Sequence, residues 1–392
     1  MLLPDLPDEL LDSISENLDS ERSINAFSRA NRRLHNLLNG HLYRHNARWC
    51  GSSALFWAAR QGREETVRKA LRWGADVDAE DEEYGSALWA ASTEGHEKIV
   101  QLLLDKNADV NAQGGYLGSA LLAASTEGHE KIVQLLIENN ADVNVEDGEY
   151  ESALELASAG GHETIVQLLL DKNADVNAEG GYYGSALQAA SAEGHEKVVQ
   201  LLIDNNADVN AQGGYYGSAL QAASAEGHEK VVQLLLDNNA DVNAEGGYFG
   251  SALQAASARG YEKVVQLLLD NNADVNAQGG YLGSALQAAS RKGHERIVQL
   301  LIENKADVNA QGGAYGSALQ AASVEGYEKI VQLLLDNNAE VSAEGGEYGS
   351  ALQATSAEGR ETIGGPYGIA LQAASAEGYE KIVQVLGNNA ND

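Results

Sequence analysis

The tripeptide Ser-Ala-Leu begins at Ser53, Ser86, Ser119, Ser152, Ser185, Ser218, Ser251, Ser284, Ser317 and Ser350, an interval of 33 residues at every step. A fixed period of this length implies a row of like supersecondary units, each too small to bury its own apolar face, rather than one globular core. A weaker copy, Ile369-Ala-Leu, follows after only 19 residues, and the stretch missing after Ile363 corresponds to the one that reads VQLLLDNNADVNAE elsewhere. The tenth unit has therefore lost its second half, and units ten and eleven are expected to be less protected than the rest. Composition agrees with a row of short elements. Forty-two glycines stand against three prolines in a chain that is 44% apolar, the mark of many turns that need positive φ.

The unit starting at Ser218 shows the instructions it carries. Ser218-Ala-Leu-Gln221 has the S-x-x-Q form of a capping box, which predicts a helix whose first amides are satisfied by Ser and Gln. Small residues continue it, and Gly227 ends it as the left-handed residue past the last turn. In His228–Asp237, Val231, Val232, Leu235 and Leu236 fall at i, i+3, i+4 spacing, so a second and stronger helix follows. Asn238-Asn239 closes it, since Asn tolerates the left-handed region. The Gly-Gly-Tyr-Phe-Gly run before Ser251 suits a tight reversal. Helices this short are marginal alone, so stacking must supply their stability.

Two helices and a turn in 33 residues resemble the ankyrin repeat over residues 51–392. Ser185-Ala-Leu-Gln-Ala-Ala-Ser-Ala-Glu-Gly-His195 stands for that family's T-P-L-H-x-A-A-x-x-G-H, and V-V-x-L-L-L with a following A-D-V-N-A recurs in most units. The resemblance implies an all-α solenoid of about eleven helix-turn-helix units, with repeats 1–10 over 51–363 and a final ankyrin-like unit over 364–392. Two departures stand out. The usual Pro at the start of the first helix is Ala, and Gly-Gly-Tyr-Tyr-Gly displaces the usual hairpin tip. Gln for the motif's His is expected to remove a tie between neighbouring units, with the capping box replacing part of it.

Residues 1–50 differ. Leu6-Pro7 and then Leu10, Leu11, Ile14 and Leu18, followed by Ile24, Phe27, Leu34, Leu38 and Tyr43, resemble an F-box, a small helical module. That resemblance implies docking on the Skp-type adaptor of a cullin ubiquitin ligase through Leu6, Pro7, Leu10, Leu11, Ile14 and Leu18, with the repeats recruiting the protein to be ubiquitinated. The alternative is a helical cap that shields the apolar end of the stack.

The formal net charge is −32, almost all of it in the repeats. Such a field repels nucleic acid and anionic membrane, and it keeps a long surface soluble, so a monomer is expected. Selection for a basic partner is the other reading. A single cysteine, Cys50, excludes an internal disulfide, and neither a leader nor a membrane-length apolar run is visible. A cytosolic or nuclear home follows.

No catalytic constellation emerges. Six of nine histidines, His96, His129, His162, His195, His228 and His294, share one repeat position with Tyr261, Tyr327 and Tyr379, which makes them structural rather than metal ligands. His195-Glu-Lys-Val-Val lacks the second His of a zinc-protease motif, and the glycine runs lack the Lys-Ser or Lys-Thr of a phosphate loop. Neither metal nor cofactor is expected, and an enzyme using the groove is the remote alternative.

Comparison of the units separates scaffold from surface. The residue three before each Ser is Tyr116, Tyr182, Tyr215, Tyr248 and Tyr281 in the middle units but Glu or Ala elsewhere. Before the mid-repeat Gly, Arg259 and Arg291-Lys292 break an acidic run. In ankyrin proteins both sets face a partner on the concave side, so these residues are candidates to bind a target protein. The next aromatic position, Tyr150, Tyr183, Tyr216, Phe249 and Tyr315, is apolar in every unit and is expected to pack the hairpins. Phe56 and Trp89 replace Gln in the first two units, near Trp57 and Trp73. Packing of head on stack is one reading and an aromatic pocket including Trp89 the other.

Overall fold

The computed structural model describes residues 32–81, 85–114, 118–145 and 151–341, together with Leu10. Among them are nineteen helices and one short β-hairpin. They fall into two bodies, divided between Asp175 and Val176.

The first body opens with α1 (Arg32–Trp49), then α2 (Ser53–Arg60) and α3 (Glu64–Arg72). Strand β1 (Glu80–Asp81) pairs antiparallel with β2 (Gly85–Ser86). Three helix pairs follow: α4 (Ala87–Thr93) with α5 (Glu97–Leu104), α6 (Ala120–Thr126) with α7 (Glu130–Glu138), and α8 (Ala153–Ala159) with α9 (Glu163–Asp171). The second body holds five more, α10 (Ala186–Ala192) with α11 (Glu196–Asp204), α12 (Ala219–Glu226) with α13 (Glu229–Asp237), α14 (Ala252–Arg259) with α15 (Glu262–Asp270), α16 (Ala285–Lys292) with α17 (Glu295–Glu303), and α18 (Ala318–Val324) with α19 (Glu328–Asp336). Within each body, first helices pack on first helices and second on second, so each is a stack of helix-turn-helix units.

The alanine-rich first helix explains how units approach so closely. In α12 every residue from Ala219 to Ala225 is buried, because small side chains let the helices on either side close over it. Val231, Val232 and Leu235 of α13 are buried as the apolar spacing requires. Gly227 caps α12 with φ 79°, and a Cβ there would also come within 2.5 Å of the Tyr261 ring of the next unit. Asn239 takes φ 64° after α13, as the sequence suggests.

The capping box needs correcting. Ser218 Oγ accepts from Gln221 N at 3.3 Å, but the Gln side chain does not return to Ser218. Among the described residues the full box closes at Ser284 and Ser317, whereas at Ser185, Ser218 and Ser251 it is half formed. The Gln amide nitrogen reaches the next unit whether or not the box closes, since the box uses the amide oxygen. Gln221 Nε2 donates to Gly246 O at 3.0 Å and Gly250 O at 2.8 Å in the next unit. Gln188 does the same to Gly213 O and Gly217 O, as do Gln254 and Gln287 to their neighbours' hairpins. Glutamine therefore supplies the tie between units that its replacement of His was expected to remove.

Two further ties repeat. His228 Nε2 donates to Ala192 O of the preceding unit at 2.8 Å, and His96, His129, His162 and His294 do likewise, which confirms their structural role. Asn210 Oδ1 accepts from Asp241 N at 2.7 Å, one of a row of such bonds along the loops after the second helices.

At the head, α1 rests on α2 and α3. Asn46 Oδ1 accepts from Ala54 N at 2.9 Å, so α1 caps α2, and the Arg44 guanidinium lies 4.9 Å from the Trp73 ring centroid. Packing accounts for Trp73 and the buried Phe56, while Trp57 is exposed. Units ten and eleven, including the break after Ile363, lie outside the described residues.

Lys305 holds φ 68° at the position where seven units place Asn. Lys305→Asn should raise stability by about 0.5–1 kcal/mol, read as a shift of the denaturant midpoint with unchanged slope.

Candidate partner-binding surface

The hairpins of the second body set the surface. Four of them close on a glycine bridge, Gly180 with Gly184, Gly213 with Gly217, Gly246 with Gly250 and Gly312 with Gly316. Successive tips are joined through the backbone: Tyr215 N donates to Tyr182 O at 2.9 Å, Tyr248 N to Tyr215 O at 3.0 Å, and Ala314 N to Tyr281 O at 3.2 Å. Such close approach dictates glycine. At Gly214, with φ 60°, a Cβ would stand 2.1 Å from Tyr183 O. The displaced hairpin motif thus has a reason: these glycines let each tip lie directly on the one before it.

Two aromatic rows result, and exposure separates them. Tyr182, Tyr248 and Tyr281 keep 53, 45 and 50% of their surface, with Tyr215 half-buried between Tyr182 and Tyr248. Tyr216, Phe249, Leu282 and Tyr315 keep 7, 5, 7 and 8% and join the alanines of the first helices in one core cluster. The outer rings stack nearly parallel, with centroids 5.4 Å apart from Tyr182 to Tyr215 and from Tyr215 to Tyr248, and 6.3 Å apart from Tyr248 to Tyr281. Each of the first three also meets an inner ring edge-on, at 5.3, 5.1 and 5.1 Å. These offset and T-shaped contacts fix the row before any partner arrives. What remains exposed is a line of ring edges and hydroxyls, a contiguous amphipathic patch of the kind that marks contact sites.

Charges behind the row are largely paired. Tyr183 and Tyr216 hydroxyls donate to Glu193 Oε1 at 2.6 Å and Glu226 Oε1 at 2.9 Å. Arg259 lies 3.7 Å from Glu226 and 5.5 Å from the Phe249 centroid. Arg291 lies 3.2 Å from Glu325 and 4.2 Å from the Tyr315 centroid. Both arginines therefore serve the hairpin packing as well as standing beside the row, a link between units that the linear pattern does not reveal. Lys292 is exposed. Burial, and then the hydrogen bond donated to Glu226, hold the Tyr216 phenol well above the ordinary range. Burial followed by the neighbouring Tyr182 and Tyr248 raises Tyr215.

The other candidates are scattered. Trp89 is half-buried in the first body, its Nε1 without an acceptor among the described residues. Leu10 is 52% exposed. Tyr116, and Leu6, Pro7, Leu11, Ile14 and Leu18 of the head, lie outside the described residues. Among the described residues no group of His, Cys, Asp and Glu is arranged to hold a metal, and no helix is long and apolar enough to cross a membrane.

Stacked helix pairs joined by hairpins define a repeat module for protein–protein interaction, a fold that is typically non-catalytic. The family described as "Ankyrin repeats (3 copies)" matches residues 25–114, 120–213, 187–279 and 253–344, well over half of the sequence, and the chain belongs to that family. The first match begins within the head segment and includes α1. No curated protein matches the chain.

Tyr216→Phe removes the bond to Glu226 and should cost about 1 kcal/mol near neutral pH. Because the folded-state phenol holds its proton to higher pH than the unfolded one, wild type loses stability as pH rises past about 10, and the Phe variant escapes that part of the loss. Urea midpoints of the two proteins should converge between neutral pH and pH ~10.5.

Proposed function

We propose that the chain is a protein-binding receptor of the cytosol or nucleus, whose outer tyrosine row grips a protein partner, and that its head docks on a Skp-type adaptor to make it a substrate receptor of a cullin ubiquitin ligase. The observation that carries the binding reading is the row itself: Tyr182, Tyr215, Tyr248 and Tyr281 held in register and exposed along their outer edge. Tyrosine offers large contact area with little rotamer freedom to lose, which is why it recurs at binding hot spots. The support for the ligase reading is the Leu6-Pro7 start and the apolar spacing through Leu10, Leu11, Ile14 and Leu18.

A second reading keeps the protein partner and drops the ligase: a scaffold whose head caps the stack. The Asn46 cap on α2 and the Arg44–Trp73 contact favour it, since they give the helix before the repeats a packing role.

Affinity capture from native extract, followed by mass spectrometry, tests both. Replacing Tyr215 and Tyr248 with Ser should cut recovery of bound targets at least tenfold, about 1.4 kcal/mol or more, with helical content unchanged. An unaltered set of targets would remove the row from the interface. Replacing Leu6 and Pro7 with Ala should release adaptor and cullin while targets stay bound. Absence of both from the wild-type capture leaves the scaffold reading.

A further inference from the structure

Comparison of the second helices with one another isolates the first of them. In eight of these helices a glutamine is followed four residues later by an acid to which its amide donates, as in Gln101 to Asp105 at 2.9 Å and Gln233 to Asp237 at 2.7 Å. In α3 the same two positions are Arg68 and Arg72. A neutral and an acidic side chain have been exchanged for two cations, with nothing in the stacking that requires it: both side chains are exposed.

The exchange coincides with a cavity. Between α3 and α5 lies an open depression of about 310 Å³ lined by Arg68, Leu71, Arg72, Leu102 and Lys106. Leu102 is 7% exposed and Leu71 half-buried, so the floor is aliphatic. Arg68 turns back along its own helix, Nη2 lying 2.7 Å from Glu64 Oε1. Arg72 and Lys106 have no ion pair among the described residues. The sequence leading into and through α3 is basic too, for residues 22–72 hold eleven Arg and Lys against two acids, Glu64 and Glu65, within a chain of net charge −32.

We propose that this cavity is a docking site for an acidic peptide segment of a partner protein, in which carboxylates meet Arg72, Lys106 and Arg68 and one leucine-sized side chain rests on Leu71 and Leu102. Charge complementarity names the ligand's sign, and the guanidinium fork suits a carboxylate. The aliphatic floor and the volume, enough for one or two side chains, call for a peptide rather than an array of phosphates. The remainder of the chain reinforces that choice. An extended polyanion would run out of the basic patch into a strongly acidic surface, whereas a short peptide feels only charges within a screening length of about 8 Å. The site is separate from the tyrosine row and stands whether or not that row binds a target.

The probe is a fluorescein-labelled peptide carrying Asp-Glu-Leu-Glu-Asp, titrated with the full chain and followed by anisotropy. Saturable binding is expected, weakened several-fold between low salt and about 0.15 M salt. Arg68→Gln with Arg72→Asp installs the pair that the other units carry, so the fold is kept, and it should weaken binding at least tenfold. Lys106→Ala should weaken it several-fold, as should Gly for the peptide's Leu. The proposal is overturned by absent binding, by a double variant that binds like wild type, or by equal binding of the Leu-free peptide. It is also overturned if an oligothymidine of equal charge or vesicles rich in anionic lipid bind as tightly. Self-association of the chain that the double substitution abolishes, with no peptide binding, would place a second copy in the cavity and equally overturn it.

Discussion

Each unit depends on a neighbour for what it cannot supply alone. Helices of seven to nine residues are below the length that holds together in water, so the free energy that keeps them folded comes from contact between units. The alanine faces of the first helices allow that contact, and the buried Gln amide directs it. In α12 the side chain of Gln221 reaches past its own helix and donates to two carbonyls of the following hairpin, one on each side of the Gly246–Gly250 bridge. A buried amide that missed those carbonyls would lose about 1–3 kcal/mol, so the bond penalises any slip in register more than it adds to stability.

The surface follows from that register. Once a hairpin is pinned from behind by Gln, its tip hydrogen-bonds to the tip before it, and residues 33 apart in sequence are brought ring against ring. The inner aromatic of each hairpin is driven into the alanine core and the outer one is left at the edge. Position three before the Ser is thus free to vary, because its side chain contributes little to the core, while its backbone is bonded to the preceding tip at Tyr215, Tyr248 and Ala314. That combination, a rigid main chain bearing replaceable side chains, is what a recognition surface requires.

Much of this was legible in the repeats. The period, the Ser that opens each first helix, the Gly and Asn that end the two helices, and the split into an inner and an outer aromatic position are local or pairwise signals, and Ser218, Gly227, Asn239 and Tyr216 behave as their residue types dictate. Reach across units was not legible. That the amide nitrogen of Gln221 reaches Gly250 twenty-nine residues away depends on where the next hairpin packs, and S-x-x-Q carries no sign of it, whereas Gln287 makes that bond and the box together. The pairing of Arg259 with Glu226 and of Arg291 with Glu325 is hidden for the same reason. The row of bonds that Asp amides donate to the Asn side chains of the preceding unit left a trace only as the near-constant A-D-V-N-A.

Amide hydrogen exchange in a Gln221→Met variant tests the coupling most directly, because Met fills the same volume without the donor. The tie from Gln predicts that Tyr248 and Gly250 amides, one unit away, exchange at least tenfold faster than in wild type, while Tyr215 and Gly217, on the other side of the substitution, keep their rates. Equal protection of Tyr248 and Gly250 in both proteins would contradict the account and leave helix packing alone to set the register of the hairpins.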